Sequence, residues 1–179
     1  MKKFLVLAIV AATVFLFYSC DEESEDPPAF DNGLMVTIGQ NPANSGGLAS
    51  SKEFTARNFV SCEYSVTTEG EKYLFSAKDD NGDLWTVKFL YDPVNDDSLV
   101  YMNESVNNSI SLKSVEYGDY YIDSNSDEAN HTVIKLKKIK PNEIIEADFE
   151  GFIYVTGSPA VPDTLRDGYF TTKKFITPR

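Results

Sequence analysis

The chain is poor in the residues that most often carry chemistry: 179 residues contain one histidine, two cysteines and one tryptophan. A single histidine, His131, excludes a zinc site built from two or three imidazoles. A Ser-His-Asp or Cys-His arrangement would have to use that one residue. The sequence around Cys62 and around each serine matches no nucleophile motif. His131 therefore reads as an exposed polar residue at the start of a strand. Basic residues are also few, 16 Lys and Arg against 28 Asp and Glu, for a net charge of −12. A polyanion of this kind repels phosphate backbones, which argues against nucleic acid as a partner. No Gly-rich phosphate loop and no dinucleotide fingerprint is present, and no cofactor is implied. No long segment has the 3.6-residue period of an amphipathic helix, and no internal repeat is visible.

One apolar run stands out, at residues 4–18, and only Thr13 interrupts it. It falls short of the roughly 20 apolar residues that a membrane-spanning helix needs. With Lys2 and Lys3 before it, it reads as the core of a signal peptide over residues 1–19. The run ends at Phe17-Tyr18-Ser19-Cys20. A small residue directly before a cysteine at the end of such a core resembles the lipobox of bacterial lipoproteins. Phe17 and Tyr18 stand where Leu and Ala or Ser are more usual, a variant common in the Bacteroidetes-like group. The resemblance implies cleavage before Cys20, a diacylglyceryl group on its thiol and acylation of the new amino terminus. Two or more acyl chains hold a protein to a membrane stably, whereas one does so only marginally. An ordinary secreted protein with an incidental Cys20 is the alternative.

Asp21-Glu22-Glu23-Ser24-Glu25-Asp26-Pro27-Pro28 follows. It is acidic and has no apolar residue to bury, so residues 20–30 read as a tether between lipid and domain. The segment also resembles the acidic export signal behind the lipidated cysteine of surface-exposed Bacteroidetes lipoproteins. The expected address is thus the cell envelope, anchored in the outer membrane, with the outer face favoured over the periplasmic one. Losing Lys2 and Lys3 with the leader takes the net charge from −12 to −14. If the Cys20 sulfur carries lipid, Cys62 has no partner within the chain, and no disulfide framework can form.

Residues 31–179 suit one domain. Alternation at period two dominates it, the mark of half-buried strands. In 58–66, Val60, Cys62, Tyr64 and Val66 share one face, which makes Cys62 a small buried hydrophobe. A hairpin is expected over 72–78 and 84–91, with Tyr73, Phe75 and Ala77 beside Trp85, Val87, Phe89 and Tyr91. Asn81-Gly82 between the two runs fits a type I′ turn. Further strands are expected at 34–38, 119–123, 132–139, 144–155 and 168–176, with Gly151 at a bulge or a close approach. Residues 41–51, 92–108 and 124–130 read as polar connections. The pattern predicts an all-β domain, an antiparallel β-sandwich or partly open barrel of roughly seven to nine strands.

The order of several pieces resembles a group of small Bacteroidetes lipoproteins of unknown function. The pieces are Glu53-Phe54-Thr55-Ala56, the Asp80-Asn81-Gly82 hairpin, Gly118-Asp119-Tyr120-Tyr121, the stretch 145–154 with Gly151-Phe152, and Asp167-Gly168-Tyr169-Phe170. The resemblance implies an anchored all-β domain and supplies no catalytic residue.

Three groups of side chains remain as candidate sites. Asp79, Asn81 and Asp83 place oxygen ligands at alternate positions, as calcium loops do. An EF-hand would then need glycine and glutamate where Leu84 and Leu90 stand, and a turn explains Asn81 and Gly82 without a metal. Asp92, Asp96 and Asp97 crowd another loop. Glu146, Asp148 and Glu150 share one strand face, where a carboxylate pair for glycoside hydrolysis competes with a plain solvated face. Tyr117, Tyr120 and Tyr121, with Tyr101 upstream, could form an aromatic platform for a sugar ring. The sequence favours a non-enzymatic domain that binds a glycan, a peptide or an envelope protein. A small hydrolase or inhibitor and a purely structural envelope component are the other readings.

Overall fold

A computed structural model describes residues 30–43, 48–95, 98–102, 108–122 and 131–176. The leader, Cys20 and the acidic segment lie outside them, as do Asp96, Asp97 and residues 123–130. The described chain is all-β, without a helix. Its strands are β1 (Gly33–Gly39), β2 (Lys52–Ala56), β3 (Asn58–Thr67), β4 (Gly70–Lys78), β5 (Leu84–Tyr91), β6 (Leu99–Tyr101), β7 (Ser109–Lys113), β8 (Asp119–Tyr121), β9 (Val133–Lys140), β10 (Ile144–Val155), β11 (Ser158–Thr172) and β12 (Phe175–Ile176).

These twelve strands exceed the seven to nine expected from sequence. β6 and β12 are too short to show a period. β7 carries its alternation on serines, and β2 is only five residues long. β11 starts ten residues before the expected strand, across Pro162, a residue type that normally demotes a strand. The register of β10 against β11 shifts nearby, between Ile153 and Val155.

The strands form one curled sheet in the order β12-β3-β4-β5-β7-β8-β10-β11-β1-β2, with β9 and β6 branching from β10. Chain continuity ties the two edges together. β2 runs into β3 through Arg57 alone. β12 follows β11 by two residues and pairs in parallel with β3, Phe175 opposite Cys62. β10 forks: Ile144 to Glu150 pair with β9, and Tyr154 and Val155 pair with β8. Thr132 fills the fork. Its Oγ1 accepts from Phe152 N at 2.8 Å and donates to Phe152 O at 2.7 Å, replacing the missing ladder bonds.

The expected hairpin forms in register, Tyr73 opposite Phe89, Phe75 opposite Val87 and Ala77 opposite Trp85. All six side chains are fully buried. The turn differs from expectation. Only Gly82 takes positive φ, at +90°, and Asn81 does not. Asp79 O accepts from Gly82 N at 3.2 Å, and Asp79 Oδ1 accepts from Asn81 N and Asp83 N, both at 2.9 Å. The carboxylate holds a type I turn closed by a left-handed glycine, rather than type I′.

The concave face is packed with aromatic rings. Tyr73 stacks on Phe89 at 5.2 Å, Phe54 meets Trp85 edge-on at 5.7 Å, and Phe75 touches Phe170 at 5.0 Å. Burying each such ring contributes about 1.5–3 kcal/mol, which holds the domain without disulfides.

Candidate functional site

Cys62 is fully buried on β3, and its thiol donates weakly to Glu63 O at 3.7 Å. Burial, with a small further push from Glu63, raises its pKa from 9.0 to about 12, against a lowering bond from the Leu74 backbone. A thiol held neutral and away from solvent is no nucleophile. His131 precedes β9, its ring edge-on to Tyr101 at 5.7 Å. Both lie at the fork, and among the described residues no contact with Cys62 or with an acid links them into a catalytic set.

In the Asp79–Asp83 loop, Asp79 Oδ1 and Asp83 Oδ1 accept from backbone amides and Asp80 Oδ1 accepts from Asn58 Nδ2 at 2.8 Å. Besides the turn bonds, Asp83 Oδ1 accepts from Val115 N at 2.7 Å and so ties the hairpin tip to the β7–β8 connection. Asp83 Oδ2 is buried without a partner. Among the described residues, no three His, Cys, Asp or Glu side chains come together as a metal cluster. Asp92 caps its own turn, accepting from Val94 N at 2.9 Å and Asn95 Nδ2 at 2.6 Å.

Glu146, Asp148 and Glu150 lie on the outer face of β10, as the alternation predicts. They oppose a lysine strand: Lys138 is opposite Glu146 and Lys135 opposite Asp148. Lys137 Nζ pairs with Asp148 Oδ1 at 2.8 Å. A cross-strand charge ladder accounts for Glu146 and Asp148, while Glu150 lies opposite Val133 and faces solvent.

The three tyrosines do not form one platform. Tyr120 points into the core and is 1% exposed, so it cannot stack on a surface ligand. Its hydroxyl accepts from Leu48 N at 2.9 Å. Burial, aided by the nearby Asp163 carboxylate, raises its pKa to about 12. Tyr121, next along the strand, turns outward beside Tyr154, ring centroids 6.2 Å apart. Tyr117 folds over Phe54 at 6.3 Å, under Lys52 Nζ at 3.9 Å. Alternation already places Tyr120 and Tyr121 on opposite faces.

Two inward-facing acids escaped the sequence reading. Glu71 lies in the inward register of β4, and its two oxygens accept from Tyr64 Oη at 3.1 Å and Tyr73 Oη at 2.7 Å. Burial first, then this carboxylate, raises the pKa of both phenols. Asp163 is fully buried. Its Oδ1 accepts from Asn41 N at 2.8 Å, and its Oδ2 has no partner. With Tyr120 it hooks the loop after β1 over one end of the curled sheet. Asp163 sits at an inward position between Val161 and Leu165, a signal that was available in the sequence, whereas Glu71 follows Glu69 and Gly70 and reads there as part of a turn.

The folded pKa values of Cys62 and Tyr120 are raised, so each contributes stability that is complete below its unfolded pKa and is lost as pH rises through the folded value. The melting temperature is expected to hold near pH 8 and to fall progressively between about pH 9 and 12. Thermal scans across that range check it, and a flat profile contradicts the assigned burial of these groups.

The outer surface carries several further side chains of note. Phe59 is 84% exposed and holds a left-handed φ of +49°, unusual for a bulky residue. Val66, Val94 and Val115 are also exposed. Outward positions of β4, β5 and β7 carry Lys72, Lys78, Lys88 and Lys113 among serines, Thr86 and leucines, with no acid. No family model, curated protein or solved structure matches the chain.

Proposed function

We propose that this chain is a lipid-anchored envelope protein whose β domain binds another envelope component, a glycan, a peptide or a protein, without catalysis. The curled sheet is a partly open barrel rather than a sandwich, with its inside filled by side chains, so ligand meets the outer surface. The leader and lipobox give the address: lipid on Cys20, outer membrane, outer face favoured. The order of the β pieces supports kinship with the small Bacteroidetes lipoproteins.

The observation that carries the binding reading is Phe59. It combines backbone strain of order 1–3 kcal/mol with an aromatic ring left in water, and Lys78 Nζ lies 5.6 Å from the ring centre. Strain of this kind persists where it serves a site. Val115 adds a second exposed apolar side chain at the neighbouring hairpin end, 3.9 Å from where a Gly82 Cβ would sit. The test is capture by the full chain from envelope fractions and a glycan panel, alongside a Phe59→Ser/Val115→Ser variant of equal melting temperature. Capture is expected to fall at least tenfold in the variant. Equal capture by both proteins, or none by either, overturns the reading.

A further inference from the structure

We propose that the wall formed by β4, β5 and β7 is the docking surface for the chain's own acidic segment, residues 21–26. The wall differs from the other lysine-rich strand, β9, whose lysines lie opposite the acids of β10. A chain with 28 acids and 16 bases places four lysines and no acid at the outward positions of these three strands. Glu63 of β3, opposite Leu74, and Asp119 of β8, opposite Lys113, mark its borders. Lys78 and Lys113 flank Leu84 across two strand spacings, about 10 Å. Lys72 lies six residues further along β4, about 20 Å away. Ser76, Thr86 and Ser111 form a row of hydroxyls between them.

A foreign polyanion approaching this wall meets the repulsion of the whole chain. The chain's own segment does not have to approach. Asp21, Glu22, Glu23, Glu25 and Asp26 are held beside the wall by covalent linkage, at an effective concentration in the millimolar range.

The chain between them leads to the right place. Phe30 packs on Tyr169 at 5.5 Å and under the Arg57 guanidinium at 5.0 Å. Asp31 pairs with Lys173 at 3.1 Å, and Asn32 Oδ1 accepts from Lys173 N at 2.9 Å, so the take-off point is fixed. Two residues after Arg57, the Phe59 ring lies against Lys78, the near corner of the wall. Asp26 is four residues from Phe30 and Asp21 nine, reaches of up to about 13 and 30 Å. Fully extended, residues 21–26 span roughly 17 Å, close to the run of the wall from Lys78 to Lys72. Docking shortens the leash and turns the lysine wall toward the anchored end of the chain. It depends on the acidic segment and the wall, not on lipid at Cys20, so it stands or falls separately from the anchor.

The test is a spin-label distance between Ser24→Cys and Ser111→Cys in the full chain in detergent, with Cys20→Ser to leave only those sites reactive. Buried Cys62 does not take the label. A narrow distance distribution is expected at 10 mM salt. It is expected to broaden and lengthen at 0.5 M salt, where charges more than a few ångströms apart are screened, and in Lys72→Gln/Lys78→Gln/Lys113→Gln at low salt. Lys135→Gln/Lys138→Gln, on the far strand β9, should leave it narrow. A broad distribution at low salt overturns the proposal. So does a narrow one indifferent to salt and to the wall lysines, or equal broadening by the β9 variant.

Discussion

Gly151→Ala is expected to cost the domain roughly 3 kcal/mol or more, enough to lower its melting temperature by ten degrees or to prevent folding. Gly151 has φ +140°, a conformation that residues with a Cβ rarely adopt. A Cβ there would collide with the Thr132 backbone and come within 2.6 Å of His131 O. These are mostly main-chain atoms, which cannot rotate away. The collision falls where β10 changes partner from β9 to β8, so relief by backbone movement would break the Thr132–Phe152 bonds that bridge the fork. Urea denaturation of the variant measures the cost, and a midpoint within error of the parent contradicts the close approach.

The sequence marks Gly151 because it interrupts an otherwise regular alternation, and glycine in a strand signals a bulge or a near neighbour. Other parts were equally legible. β5 and β10 have the bounds that period two predicts, and the β4–β5 register follows from matching their apolar faces. Cys62 was legible as core for the same reason. The short strands were not. β6 and β12 span three and two residues, and they exist because β9 and β3 offer them unpaired backbone. Long-range pairing of that kind leaves no local trace. The turn type at Asp79–Asp83 was misread because Asn-Gly dominates the local signal. The deciding contact is a carboxylate two residues earlier, bonded to two amides.

The candidate sites divide along the same line. Alternation alone separates Tyr120 from Tyr121 and puts Glu146, Asp148 and Glu150 on the outer face. It does not tell which outer face is acidic and which basic, because that depends on the neighbours of each strand. β10 lies beside the lysines of β9 and is neutralised by them. β4, β5 and β7 lie beside one another, and their lysines accumulate. The surface charge is thus a property of strand order, not of any single segment.

Cys20→Ser is expected to move the protein almost entirely from membrane to soluble fractions. Each buried methylene of an acyl chain contributes about 0.8 kcal/mol of membrane affinity, and if Cys20 is lipidated as proposed, the substitution removes the diacylglyceryl chains together. The described residues of the folded domain include no helix long and apolar enough to cross a membrane. On the proposed lipidation, the lipid holds the protein to the membrane. A variant that stays with the membrane after a salt wash would assign retention to the leader or to a protein partner instead.

The most direct measurement is the intact mass of the mature protein taken from membranes. The expected product begins at residue 20 and is heavier than its 160 residues by a diacylglyceryl group, with acylation of the amino terminus. A product with residues 1–19 still attached, or one starting at Cys20 with an unmodified thiol, contradicts it.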